Sequence, residues 1–274
     1  MTQQDRVRWL CYAPEIAADR AAFIAEPLQL ETLQVVNFRD YCRHHPDLAC
    51  VLWLDGDGLA LREVRPDAPG PVRVDFLEAG MTWRVQHGGG AGEMIARACG
   101  LRRQAGLTVL DATAGLARDA FLLASLGAQV WMCERSPLIL ALLEDGWVRA
   151  AREPALTEVL GRMHLLPGDA LSLMQSAELP AIDVVYLDPM FPQREKSARV
   201  KKAMAAFQGL LGERDDGAAL LAPARQLARR RVVVKRPRLA PPLADTPPHE
   251  TISGKSSRFD IYFPNQSLKT AVHS

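Results

Sequence analysis

The sequence predicts an α/β fold: a doubly wound, mostly parallel seven-stranded sheet with a C-terminal antiparallel hairpin, preceded by a small α+β unit. Three observations carry this expectation. From residue 107 onward, short apolar runs alternate with helical segments. The first of these runs, 107–111 (LTVLD), passes through a small-residue turn into a helix. The last two runs are separated only by 254–257, so they can pair only as an antiparallel hairpin.

The elements follow in order. Residues 51–54 (VLWL), 55–58 (DGDG) and 59–62 (LALR) read as a hairpin with a glycine-bearing turn. Residues 66–71 (PDAPGP) form a Pro/Gly break with no periodicity, which divides the chain into an N-terminal unit, 1–71, and a larger domain, 72–274. The strand candidates of the domain are 107–111, 129–133 (QVWMC), 163–166 (MHLL), 183–187 (DVVYL) and 231–235 (RVVVK). The hairpin comprises 249–253 (HETIS) and 258–263 (RFDIYF), and is expected to supply a reversed edge strand. The Pro-rich stretch 237–248 lies between strand candidates and reads as a loop.

Composition narrows the class. Of 274 residues, 48% are hydrophobic and 24% charged, as in ordinary globular domains. No apolar run is long enough to span a bilayer, and the N-terminal residues lack a signal-peptide pattern. Five cysteines, odd in number and without a CxxC pair, fit reduced thiols in a cytoplasm rather than disulfides or zinc. The six histidines are scattered, so no metal is expected. Net charge is only +1, but it is segregated. Residues 194–202 hold five basic side chains against one acid, and 225–238 hold seven with none. Such runs are either solvated faces or a phosphate-binding surface. Both flank predicted strand C-termini, so Arg194, Lys196, Lys201, Lys202, Lys235 and Arg236 are candidate RNA contacts.

Two regions carry chemistry. In 111–119 (DATAGLARD), Asp111 ends a strand and Gly115 permits a tight turn with close ligand approach. Arg118 and Asp119 open the helix, where they could meet the carboxylate and ammonium of an amino-acid moiety. Ala117 stands where a dinucleotide cradle would carry its second glycine, which disfavours a nicotinamide-dependent oxidoreductase. Glu134, 23 residues after Asp111 and at the next strand end, is placed to accept from two ribose hydroxyls. Asp169 suits an adenine amine, with Ala170 leaving room for the ring. The second region is 188–192 (DPMFP). After a buried strand, Asp188 and the carbonyl of Pro189 can accept the two N–H bonds of an exocyclic amine, while Phe191 stacks on the base. This points to methylation of a nucleobase amino group; a plain strand-ending Asp-Pro turn is the alternative.

Taken together, DATAGLARD, ERSP (134–137), GDA (168–170), DPMFP and VVVKRP (232–237) resemble a Rossmann-like class I S-adenosylmethionine-dependent methyltransferase. With HGGGAGE (87–93) and GKSSRFDIYFP (254–264), the chain resembles bacterial 16S ribosomal RNA guanine-N2 methyltransferases of the RsmJ type. That resemblance implies methylation of the N2 amine of guanosine 1516 in 16S rRNA, free or in the small subunit. It places cofactor contacts on Arg118, Asp119, Glu134, Arg135, Asp169, Ala170 and Asp188. Met190 departs from the Pro-Pro pair common among amino-methyltransferases, which leaves the turn less rigid. An adenine-N6 nucleic-acid methyltransferase and a non-catalytic RNA-binding assembly factor on the same fold remain alternatives.

Overall fold

A computed structural model describes residues 7–65, 68, 70–77, 94–104, 106–176, 179–189 and 217–265. The chain forms two compact units. Among the described residues, the first holds the chain through Asp75 together with Ser136–Arg152, and the second holds the rest.

In the first unit, β1 (Trp9–Tyr12), β2 (Glu31–Gln34), β3 (Cys50–Asp55) and β4 (Gly58–Glu63) form a sheet of order β2-β1-β3-β4. Strand β1 runs parallel to β2 and β3, and β3–β4 is the expected antiparallel hairpin. Asp55 shapes its turn by accepting from the Asp57 amide at 2.9 Å. Gly58 closes it at φ 110°, where a Cβ would lie 2.5 Å from Arg149 Nε, so both conformation and space require glycine. Arg149 belongs to the helix Pro137–Ala150. That helix begins with Ser136 as N-cap and Pro137 in the first turn.

The second unit holds β5 (Thr108–Asp111), β6 (Gln129–Glu134), β7 (Met163–Pro167), β8 (Val184–Leu187), β9 (Arg231–Pro237), β10 (Glu250–Ser253) and β11 (Ser257–Tyr262). Their order is β10-β11-β9-β8-β5-β6-β7. Strands β5 to β9 are parallel. Every residue of β8 is buried, as are Val232, Val233 and Val234 of β9. This explains their unbroken apolar runs: covered on both faces, each such side chain contributes roughly 1.5–3 kcal/mol by leaving water. The apolar cluster on one face includes Leu110, Val185, Val232, Val234 and Tyr262.

One expectation is corrected. The reversed strand is not at the edge. Strand β11 inserts between β9 and β10 and is antiparallel to both. The reason is burial. Phe259, Ile261 and Tyr262 of β11 are at most 5% exposed and need neighbours on both sides, whereas three of the four residues of β10 are exposed and tolerate an edge.

The chain proceeds outward from β5 through β6 to β7, then returns to β8 on the other side of β5. Strand order therefore reverses between β5 and β8. In open α/β sheets, ligands bind in the crevice beyond the strand C-termini at this point. Asp111 and Asp188 stand there. Among the described residues no helix is long and apolar enough to cross a membrane.

Candidate active site

The turn after β5 is built from small residues. Gly115 has φ 51° and Ala117 has φ 56°. Ala117 thus adopts the left-handed conformation that glycine prefers, at a cost of roughly 1 kcal/mol, and is held there fully buried. The helix Arg118–Ser125 starts immediately afterwards, with Asp119 in its first turn. A Cβ on Gly115 would meet no atom closer than 3.9 Å, so this turn opens on free space.

Asp111 is 2% exposed and orders the turn. Its Oδ1 accepts from the Thr113 amide at 3.0 Å and from Thr113 Oγ1 at 3.4 Å. Thr113 Oγ1 in turn accepts from the Asp188 amide at 2.6 Å. The two sequence regions are therefore tied together by one hydroxyl. Burial pushes the Asp111 carboxyl up to about 7, against the pull of the Thr113 amide and with a further push from Asp119 and Asp188.

Asp188 sits just past β8. Its Oδ2 accepts from Lys235 Nζ at 2.9 Å, and the same ammonium donates to Asp119 Oδ2 at 2.7 Å. Asp119 Oδ2 also accepts from the hydroxyl of Tyr186 at 2.6 Å. Tyr186 is completely buried, so this bond satisfies a hydroxyl that would otherwise be stranded. The result is a continuous chain of contacts, Tyr186 to Asp119 to Lys235 to Asp188. Burial raises the Asp188 carboxyl above its ordinary range, while Lys235 opposes the rise and Asp119 adds to it. Burial also works against the Lys235 charge, but the two carboxylates outweigh it and hold the ammonium protonated.

The acids of the neighbouring strand ends complete the site. Glu134 ends β6, and its Oε2 accepts from the Gly115 amide at 3.2 Å, which bridges it to the turn. Asp169 caps the helix Ala170–Met174, accepting from the Ser172 amide at 3.1 Å. Its Oδ2 lies 4.0 Å from Arg135. Ala170 is buried beside it, and Arg118 is exposed at the head of its helix. Glu134, Asp169 and Asp188 thus line the carboxyl ends of neighbouring sheet strands, with Asp119 in the first turn of the helix that follows β5 and Asp111 buried beneath. A rim with this excess of carboxylates favours a ligand bearing positive charge and hydrogen-bond donors.

Other expected residues fall differently. Met190, Phe191, Pro192, Arg194, Lys196, Lys201 and Lys202 lie outside the described residues, as does the segment 87–93. Lys235 spends its charge on two carboxylates. Arg236 is 5% exposed and donates to the Pro241 carbonyl at 2.9 Å, which commits it to the fold. Of the rest of that basic run, Arg225 donates to the Phe263 carbonyl, Arg230 pairs with Asp183 at 3.1 Å and Arg231 donates to the Ala98 carbonyl. Sequence reasoning missed Thr113 and Tyr186. The signal for Tyr186 was present: a tyrosine inside an otherwise apolar buried strand needs a partner for its hydroxyl.

Comparisons with known proteins show the family of the chain. Residues 38–264 match the family model described as SAM-dependent methyltransferase. A ribosomal RNA small subunit methyltransferase J from Pseudomonas fluorescens is 53% identical over 212 residues, covering 77% of this chain and 81% of that protein. The protein of the same name from Marinobacter nauticus is 48% identical over 257 residues, covering 92% and 90%. The crystal structure of a SAM-dependent methyltransferase from Neisseria gonorrhoeae aligns with a TM-score of 0.69 at 35% identity, covering 97% of this chain and all of that one.

Proposed function

This chain belongs to the S-adenosylmethionine-dependent methyltransferase family that includes ribosomal RNA small subunit methyltransferase J, and we propose that it methylates the N2 amine of a guanosine in 16S rRNA, guanosine 1516 by resemblance. The observation that carries this reading is the position of Asp188-Pro189. They stand at the topological switch point, with the Asp188 amide bonded to the turn that faces the cofactor side. Asp188 and the turn after β5 are thereby held together, which supports reading them as amine acceptor and cofactor turn.

The residues fit the cofactor. Its sulfonium and ammonium are positive, its ribose offers two hydroxyl donors and its adenine offers an amine. Under this reading Asp119 receives the ammonium, Arg118 the carboxylate, Glu134 the ribose hydroxyls and Asp169 the adenine amine. Arg135 supports Asp169, and Ala170 leaves room for the ring. The cofactor supplies a methyl group on sulfur that is open to attack by a nucleophile.

The protein must prepare the other partner. The lone pair of a guanine amine is delocalised into the ring. Asp188 and the Pro189 carbonyl accept its two N–H bonds, which draws the nitrogen toward tetrahedral geometry and frees the lone pair. Lys235 occupies Oδ2 of Asp188, so Oδ1 is the oxygen that meets the amine. Phe191 stacks on the base and aligns it, and this positioning supplies several kcal/mol of the barrier reduction. Attack by that lone pair would form the N–C bond as the cofactor's S–C bond breaks, its electron pair staying on sulfur. The nitrogen then sheds a proton, for which the Asp188 carboxylate is the adjacent acceptor. The target base is taken from an unpaired site or flipped out of a helix.

The test is to incubate the protein with cofactor and undermethylated small-subunit rRNA, digest the RNA and identify the methylated nucleoside by mass. N2-methylguanosine at a single position is expected. N6-methyladenosine, or no methylation by a protein that binds the cofactor, would overturn the assignment.

A further inference from the structure

The first unit carries a hollow with an unusual charge arrangement. About 180 Å³ in volume, it is lined by Phe38, Arg39, Arg62 and Arg65 among others. Three guanidiniums thus meet one space. Among the described residues, only Arg65 of the three has an ion-pair partner, Glu63 at 2.7 Å. Arg62 lies over the Phe38 ring at 3.6 Å from its centroid and reaches Trp53 at 5.1 Å. Trp53 is in turn fixed by its Nε1–H on Asp55 at 2.7 Å.

The state of Arg62 is the informative point. Its guanidinium lies against the Phe38 ring and beside Trp53, two rings that themselves meet edge to face at 71°, yet among the described residues no oxygen accepts from its N–H groups. Burial pulls this guanidinium below its ordinary pKa, and Arg73 adds to the pull while Asp55 opposes it. A half-buried, stacked and unspent guanidinium fork is a group arranged for an anion that is not part of the fold. Phosphate oxygens match that fork in a bidentate fashion. Arg39 stands exposed on the same wall, also with no side-chain partner among the described residues.

We propose that this hollow binds a phosphodiester of the RNA substrate, with Arg62 as the oriented contact and Arg39 and Arg65 as its flanking charges. The inference rests on the reading of rRNA as substrate and gives the first unit a part in holding it. Charge complementarity selects the partner: among the described residues, three positive groups against the one carboxylate of Glu63 suit a polyanion. A volume several times the ~30 Å³ of a water accommodates one phosphate with its neighbouring sugar edge.

The experiment measures binding of a small-subunit rRNA fragment across a range of salt, with cofactor titration alongside. The Arg39→Ala/Arg62→Gln variant should bind RNA about tenfold more weakly. Its salt dependence should be shallower by up to about 1.4 in slope, at about 0.7 per lost contact on single-stranded RNA. Cofactor affinity should not change. Arg62→Lys should recover the slope but not the full affinity, because a point charge replaces the fork. Arg39→Ala alone, an exposed change, should show about half the slope effect and keeps the test valid if loss of the stacked arginine unfolds the unit.

A folded double variant with wild-type affinity and slope overturns the inference. So does a second outcome: inorganic phosphate raises the unfolding temperature of wild type but not of the variant, while RNA binding stays the same, which makes the occupant a small free anion. A wild-type protein that methylates rRNA while the variant keeps its salt slope fails this inference alone. A wild-type protein that neither binds nor methylates rRNA fails both this inference and the function it rests on.

Discussion

Replacing Lys235 with methionine removes the ammonium that, among the described residues, joins Asp119 to Asp188. In the wild type it donates to Asp119 Oδ2 at 2.7 Å and to Asp188 Oδ2 at 2.9 Å. Methionine keeps most of the side-chain volume, so the change is chiefly electrostatic. Two carboxylates then face each other with no cation between them, and Asp188 loses the interaction that held its carboxyl down. For charges about 4 Å apart the interaction lies between ~1 kcal/mol in water and ~4 kcal/mol at an effective dielectric of about 20. The three side chains are 22–40% exposed, which places the effect toward the lower end. A loss of about 1.4 kcal/mol corresponds to one pKa unit.

The sign is fixed by the proposed mechanism. Asp188 accepts from the substrate amine only when ionised, so activity falls as pH drops through its pKa. Lys235→Met raises that pKa and should move the acid limb of the rate profile upward by about one unit. Lys235→Arg keeps the charge and should leave the limb near its wild-type position. The assay is single-turnover methyl transfer at saturating cofactor and RNA between about pH 5 and 9, with far-UV spectra to confirm folding. A folded Lys235→Met protein whose acid limb coincides with wild type would refute the coupling and return Lys235 to the pool of RNA-phosphate contacts.

The remaining expectations concern individual groups. Asp188→Ala should slow transfer by a few powers of ten in a protein that still folds; single-turnover methylation at wild-type speed would remove Asp188 from the chemistry. Glu134→Ala should weaken cofactor binding by about 1.5–3 kcal/mol while sparing RNA binding, and a cofactor titration with an unchanged dissociation constant would reduce it to a strand-end acid bonded to Gly115. Tyr186→Phe removes one donor from Asp119 but leaves Lys235 in place, so it should cost about 1 kcal/mol in urea unfolding; a loss above about 3 kcal/mol would mean that Lys235 does not compensate. Asp111, with its carboxyl pushed up to about 7, binds its proton more tightly when folded, so its ionisation removes stability as pH rises from about 4 to about 7. Asp111→Asn should therefore match wild type near pH 4 and exceed it near pH 8 by at most about 4 kcal/mol; a stability difference that does not vary with pH would contradict the buried, proton-holding state.

What the sequence discloses depends on whether a feature is encoded locally. Strands β8 and β9 are legible because a strand covered on both faces needs apolar residues at consecutive positions, and 184–187 and 232–234 supply them. The β10–β11 hairpin is legible because a four-residue connection leaves no other pairing. The insertion of β11 between β9 and β10 is not, since its partners on β9 lie 20 to 30 residues earlier in the chain and no local pattern names them. The helix Pro137–Ala150 shows the same limit. Its apolar positions say that a face must be buried, but not that it serves the first unit rather than the strands before and after it.

The site divides along the same line. Asp111, Glu134, Asp169 and Asp188 are legible because parallel strands place their terminal acids along one rim, and that follows from topology alone. The basic residues of β9 are harder, because a run of charges carries no direction. Strand alternation nevertheless contained part of the answer. Residues 232, 234 and 236 share a face, and Val232 and Val234 belong to the apolar cluster, so Arg236 had to be buried with a carbonyl to receive it. Lys235 points the other way, to the side on which Asp119 waits 116 residues earlier in the chain. A lysine that reads as a phosphate contact in one dimension becomes, once the sheet is wound, the cation shared by Asp119 and Asp188 that opposes the rise of the Asp188 carboxyl.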